Sequence, residues 1–169
     1  MIIGGGVFQV PVIKIAKSMG LKVVVTDYNP ESEGMLLADY PIEVSTRNIN
    51  LTVNTAKQFH ISCPLDGVMT VGTDASQTVA AVADALNLPG IPFEVAERAT
   101  DKIKMRQVLQ GKGVPVPQFR PVWTLDEGRE ALNSMEFPLV IKPCDNMGAR
   151  GVRKIERPDD LIPAFREAK

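Results

Sequence analysis

A chain of 169 residues that is 44% apolar and 23% charged, with a net charge of −1, can bury a sizeable core and lacks the dominant basic surface of a general nucleic-acid binder. The charge is unevenly spread: residues 1–97 carry five cations and ten anions, whereas residues 98–169 carry fourteen cations and ten anions, so a polyanionic small ligand would be drawn to the second part. A single histidine, His60, excludes a histidine triad or a multi-histidine metal site, and Cys63 and Cys144 show no metal-ligand spacing.

That cysteine usage, with no run approaching the roughly 18 apolar residues of a membrane span, points to a cytoplasmic protein away from membranes. Met1 leads directly into Ile2-Ile3-Gly4, which leaves no room for a signal peptide.

In chain order, Met1 to Ile3 reads as a short strand and Gly4-Gly5-Gly6 as a turn. A helix follows from about Gln9 to Met19, with Val12, Ile13 and Ala16 inward and Gly20 closing it. Leu21 to Thr26 is a continuous apolar run, as in a parallel strand buried on both faces, and Asp27 ends it. A short helix at Gly34 to Asp39, a strand at Ile42 to Val44 and a helix from about Asn50 to Phe59 come next, with His60 an ordinary helix-end residue. Asp66 to Val71 reads as a fourth strand, and Gly72-Thr73-Asp74 turns into an amphipathic helix, Ala75 to Leu86. Strands alternating with helices imply a doubly wound, mostly parallel α/β sheet, whose ligands bind at the carboxyl ends of the strands.

The character changes at Leu88-Pro89-Gly90-Ile91-Pro92. A helix of about Asp101 to Lys112 follows, with Thr100 as its N-cap and Gly113 closing it, and then GVPVP at residues 113–117. Beyond lie a strand at Gln118 to Val122, a helix at Leu125 to Met135, a strand at Leu139 to Ile141, a loop, a strand resuming at Val152 to Ile155, and a helix at Pro158 to Ala168. The organisation expected is residues 1–92 as a Rossmann-like domain, 93–117 as a helical linker, and 118–169 as an α+β subdomain that looks unfinished.

Three places carry chemistry. Gly4 and Gly6 satisfy G-x-G, and Asp27 stands where a dinucleotide's ribose partner would sit, but Gln9 replaces the third glycine. A phosphate or carboxylate at this helix N-terminus and a purely structural tight turn both remain open. Lys102 lies near a helix start, where a cation is unfavourable unless an anion is also present; a solvated basic face with Lys104 and Arg106 is the alternative. Lys142 ends a buried strand just before Pro143 and is poorly explained as surface decoration. The loop after it, with Gly148 and Gly151 and flanked by Arg150 and Arg153, can lay backbone N–H groups against phosphate.

Taken together, GGG at the start, ADY (38–40), DGVMTVGTD (66–74), ATDKIKMR (99–106), GVPVP (113–117) and FPLVIKP followed by a glycine-containing loop resemble the ATP-grasp ligases in order and spacing. The resemblance covers nearly the whole chain, as a pre-ATP-grasp domain followed by the first ATP-grasp subdomain, and its flavour is that of the purine-biosynthesis and carbamoyl-phosphate-synthetase-like branch. It implies ATP and Mg²⁺ as cofactors, with Lys102 and Lys142 as the two nucleotide lysines and Asn146, Met147, Gly148, Arg150 and Gly151 in the loop over the phosphates. It implies that Gly4, Gly5, Gly6, Gln9, Asp27, Thr73 and Asp74 face a small-molecule carboxylate substrate, with a homodimer as a possible assembly and no nucleic-acid or membrane partner.

The adenine hinge, the metal ligands and the arginine that handles the transferred phosphoryl group would come from sequence after Lys169. The chain would then be the N-terminal portion of an ATP-dependent ligase, inactive by itself. The alternatives are an NAD(P)-binding oxidoreductase and a non-catalytic nucleotide-binding or dimerisation module.

Overall fold

The computed structural model describes residues 1–169, which form two compact units, residues 1–100 and residues 101–169. In the first, β1 (Ile2–Ile3), β2 (Val24–Asp27) and β3 (Tyr40–Glu43) make a parallel sheet in the order β1-β2-β3, with Ile2 opposite Val25 and Val24 opposite Tyr40. On the other side of β1, a parallel bridge joins Ile2 to Met69. The spatial order is thus Met69, β1, β2, β3, and the direction of winding reverses beside β1.

The helices of this unit are α1 (Val10–Ser18), α2 (Glu33–Leu37), α3 (Ile49–Ser62), α4 (Ser76–Leu86) and α5 (Phe93–Thr100). Alternation along β2 and the residue before it decides which helices cover which face. Val23 and Val25 pack with Ile2, Ile13 of α1 and Met35 of α2, while Val24 packs with Ala56 of α3, Leu65 and Val82 of α4. With helices on both faces, the unit has the doubly wound α/β arrangement expected, and burying each such side chain contributes about 1.5–3 kcal/mol.

Helix ends follow local chemistry. Gly20 N–H donates to the Lys17 carbonyl at 3.0 Å and Leu21 N–H to that of Ala16 at 3.1 Å, the paired bonds that close α1. His60 Nδ1 accepts from Leu65 N–H at 3.0 Å and ties off the end of α3.

Several expected elements differ. The second strand begins at Val24 rather than Leu21, because Val23 N–H is taken by the Asp39 carboxylate at 2.8 Å and Leu21 is 54% exposed. The expected strand at Asp66 to Val71 contracts to the bridge at Met69. Residues 93–100, read as part of a linker, fold as α5 within the first unit. Thr100 is not an N-cap: its hydroxyl donates back to the Ala96 carbonyl at 2.8 Å and finishes α5. Asp101 caps the next helix instead, its carboxylate accepting from Ile103 N–H at 2.8 Å and Lys104 N–H at 3.0 Å.

The second unit contains α6 (Lys102–Gly111), α7 (Leu125–Ser134), the antiparallel pair β4 (Leu139–Ile141) and β5 (Arg153–Ile155), and α8 (Leu161–Ala168) behind a 3-10 turn at Pro158–Asp160. Its core is Ile155, Leu161 and Ala164, with Leu125, Leu132, Leu139 and Ile141 against them. A capping box between Thr124 and Glu127 starts α7. No strand forms at Gln118 to Val122: this unit's sheet has two strands only, and Pro121 within the segment has no N–H to offer a ladder.

Candidate functional site

In the first unit the candidate site is the crevice at the carboxyl end of β1, where the winding reverses and open α/β sheets bind ligands. Ile3 N–H donates to the Met69 carbonyl at 2.9 Å and Thr70 Oγ1 to that of Ile3 at 2.7 Å, so the turns after β1 and after Met69 lie side by side. Gly4 has φ +98°, and a Cβ there would stand 3.2 Å from Gln9 Nε2 and 3.6 Å from Thr73 Cγ2. Gln9 is only 3% exposed, and its amide donates to the Val71 carbonyl at 2.5 Å.

Gly4, Gln9 and Thr73 therefore come together, with Gly5 and Gly6 beside Gln9 in one turn and the half-buried Asp74 in the other. Asp27, at the end of β2, is bonded directly to the glycine turn. One of its oxygens accepts from Gly5 N–H at 2.7 Å and the other from Asn29 N–H at 2.9 Å, so both serve the main chain.

In the second unit a cavity of about 570 Å³ is lined by Lys102, Arg106, Phe119, Ile141 and Lys142, among others. The volume lies within the usual range for small-ligand sites. α6 and β4 place the two lysines. Lys102 opens α6 directly after the Asp101 cap, and Lys142 follows β4, exposed, ahead of the buried Pro143.

The Lys102 ammonium donates to the Asn146 carbonyl at 2.5 Å and to the Cys144 carbonyl at 3.4 Å, and its backbone N–H donates to Cys144 at 2.9 Å. Carbonyl oxygens thus supply the negative charge that a cation at a helix start requires.

The loop from Asp145 to Gly151 turns through three left-handed positions, Gly148 (φ +68°), Ala149 (φ +58°) and Gly151 (φ +71°). Arg150 Nε donates to the Met147 carbonyl at 3.1 Å, and Met147 is 48% exposed. Arg153 does not face the loop as free countercharge, since it is paired with Glu167 at 2.5 Å. The Cys144 thiol is held above its ordinary range, chiefly by desolvation and then by the negative charges of Asp145 and Asp101, which disfavours a thiolate nucleophile.

Sequence reasoning left Arg106 and Phe119 without a role at this cavity. The Arg106 guanidinium lies 5.5 Å from the centre of the Phe119 ring, and the signal was the four-residue step that puts Lys102 and Arg106 on one helix face. Cations beside an apolar lining suit a nucleotide, whose phosphates and base need one of each. No group of three or more His, Cys, Asp or Glu side chains is placed to hold a metal ion. No helix is long and apolar enough to cross a membrane.

A switch-point turn in one unit and a cavity lined by two lysines in the other both suit small anionic ligands. Residues 13–90 match the model of the ATP-grasp N-terminal domain, and the chain is similar to ATP-grasp ligases. The uncharacterized protein y4rH of Sinorhizobium fredii is 33% identical over 110 residues, which cover 65% of this chain and 23% of that protein. The crystal structure of the L-amino acid ligase from Bacillus licheniformis superposes with a TM-score of 0.77 at 27% identity, over 98% of this chain and 40% of the other. That of N5-carboxyaminoimidazole synthetase from Staphylococcus aureus complexed with ADP gives 0.75 at 20% identity, over 99% and 43%, a likeness of fold. The chain thus spans less than half the length of each of these proteins.

Proposed function

We propose that this chain is the N-terminal portion of an ATP-dependent ligase that joins a carboxylate to an amine or similar nucleophile. The observation that carries the reading is the convergence of Lys102 and Lys142 on one cavity with an apolar lining, beside a loop rich in left-handed backbone. When bound, MgATP would supply the phosphoryl group that turns the carboxylate into an acyl phosphate, from which the nucleophile then expels inorganic phosphate.

The residues of this chain bind and orient. Lys142, fixed by β4 and Pro143, meets phosphate oxygens as a point charge, and Lys102 meets them from α6. Asn146, Met147, Gly148, Arg150 and Gly151 form the cover over the phosphates. Preorganised cations of this kind act on charge as it develops in phosphoryl transfer. Gly4, Gly5, Gly6, Gln9, Asp27, Thr73 and Asp74 form the site for the carboxylate substrate, with Asp27 also fixing the shape of the glycine turn through Gly5 N–H. Ligands for magnesium would come from sequence beyond Lys169, in keeping with the fraction of its relatives that the chain spans.

The dinucleotide reading is the weaker one, because both Asp27 oxygens are already bonded to backbone N–H groups rather than free for a ribose. The test is equilibrium binding of ATP to the protein and to its Lys142→Ala variant by calorimetry. A loss of affinity of tenfold or more is expected for the variant, and equal affinities would remove the assignment of Lys142.

A further inference from the structure

Surface carboxylates take up Arg120, Arg129, Arg153 and Arg157 of the second unit. Arg106 differs: it is half-buried in the wall of the cavity, pairs with no carboxylate and donates no hydrogen bond. Its neighbour is the Phe119 ring, whose centre lies 5.5 Å from the guanidinium carbon. A ring face attracts a guanidinium without taking up any of its five N–H donors. Those donors are therefore unspent at a place partly withdrawn from water, where a cation gains most from an anionic partner. The position suits such a partner as well. Arg106 stands one helical turn beyond Lys102 on the same face of α6. The start of α6 is tied to the residues just after Lys142, because Lys102 N–H donates to the Cys144 carbonyl at 2.9 Å. The Lys102 ammonium directs two of its three protons at carbonyls, Asn146 at 2.5 Å and Cys144 at 3.4 Å, which leaves one. Arg106 thus brings the larger set of free donors from α6.

We propose that Arg106 is a phosphate-binding residue of this cavity: its guanidinium, held against Phe119, donates a forked pair of hydrogen bonds to two oxygens of one phosphate in a bound polyphosphate. The inference rests on the nucleotide reading for the identity of the ligand, and it adds to the two lysines a cation of a different kind. A lysine meets phosphate as a point charge, whereas a planar guanidinium matches two oxygens at once and so fixes the orientation of the group it holds. A purely structural Arg106, covering Phe119 with its stem, would support every ligand of the cavity alike. One that binds phosphate acts only on ligands that carry phosphate. Because a carboxylate could accept the same fork, the deciding probe is inorganic tripolyphosphate, which contains neither a carboxylate nor a base.

The test is calorimetric titration with tripolyphosphate, ATP and adenosine, comparing wild type with Arg106→Met and Arg106→Lys. Methionine keeps an unbranched stem over Phe119 and loses the charge, lysine keeps the charge without the fork, and urea midpoints report whether each variant is folded. Arg106→Met should weaken tripolyphosphate and ATP at least tenfold and leave adenosine within twofold of wild type. Arg106→Lys should fall between the two for tripolyphosphate, at least threefold from each. Tripolyphosphate affinity in Arg106→Met within twofold of wild type, an equal loss for adenosine, or a wild type that does not bind tripolyphosphate would each overturn the assignment. Equality of Arg106→Lys with wild type would overturn the fork even if Arg106→Met failed to fold. If Lys142→Ala weakens ATP as expected while Arg106→Met leaves it unchanged, the nucleotide reading stands and the Arg106 inference alone is lost. If wild type binds tripolyphosphate, with the Arg106→Met loss intact, but does not bind ATP, the nucleotide reading fails and the phosphate role of Arg106 is supported.

Discussion

Among single residues, Asp39 bears most directly on how the protein responds to acid. Its carboxylate accepts from Val23 N–H and from the Lys17 ammonium at 3.1 Å, with Lys22 at 3.8 Å, and these partners hold it below the ordinary carboxylate range, the backbone bond contributing most. A depressed carboxylate contributes stability that is fully present above its unfolded value, about 4, and is lost as pH falls through the lower folded value. Glu127 and Asp160 are lowered in the same sense by backbone N–H donors at helix starts, Trp123 N–H and Glu156 N–H first. Urea midpoints measured from pH 7 down to pH 2 should fall most steeply below pH 4, and Asp39→Asn should flatten that fall while lowering the midpoint at pH 7. An unaltered acid limb in the variant would show that Asp39 carries none of it.

At the same scale, Asp27 shows where sequence and structure part. Its place at the end of the second strand was legible, because strand length and the twenty-odd residues from the glycine turn fixed it. The direction of its carboxylate was not, since that depends on Gly5 N–H and Asn29 N–H arriving from two separate turns. Lys102 is similar: the DK pair marked a helix start, but nothing local to it announces the carbonyls of residues 144 and 146.

Among the elements, the junction between the glycine turn and α2 is the most tightly built. Gly34 N–H donates to the Gly5 carbonyl at 2.7 Å, and a Cβ on Gly34 would lie 2.7 Å from that oxygen and 2.8 Å from Ile13 Cδ1. Main-chain oxygen cannot step aside, so Gly34→Ala should destabilise by about 1–3 kcal/mol, the usual cost of overpacking. Chemical denaturation would measure it, and a variant as stable as wild type would mean that α2 shifts freely. Long amphipathic helices and the apolar β2 were readable because their periodicity is a local property. The strand expected at Gln118 to Val122 was not resolvable in this way. Alternating apolar residues say that a segment can pair, while pairing needs a neighbour that only the tertiary fold provides. α5 was hidden for the opposite reason, since Pro89 and Pro92 read as a linker although Pro92 directly precedes the helix.

For the molecule as a whole, the two units differ in what they bury. Residues 1–100 hold two clusters, one on each face of the sheet, with Ile3, Ile13, Val25 and Val82 fully enclosed. Residues 101–169 hold one cluster of three buried residues on a two-stranded sheet, with Val140 54% and Trp123 67% exposed. A two-stranded sheet with so small a core is marginal. Expressed separately, residues 1–100 should unfold cooperatively in urea with dispersed amide resonances, whereas residues 101–169 should show little or no cooperative transition. A cooperative transition in the smaller piece would show that its helices suffice. The α/β class was legible because it rests on chain order, and the unequal cores were not, because burial is a property of what packs where.

One feature of the second unit sets the mechanical character of its loop. A Cβ on Gly151 would lie 2.8 Å from Pro143 Cγ and 2.9 Å from the Glu167 carbonyl, so the residue that ends the loop rests against Pro143, just before the loop, and against α8. The segment is an Ω-loop with a closed neck, and its geometry resembles a purse held at the drawstring. Changes in tip length alter the closure entropy by about 0.6 kcal/mol for each doubling. Chemistry at the tip and architecture at the neck are thereby separable, and residues 145–150 can vary in number and kind while β4 and β5 keep their register.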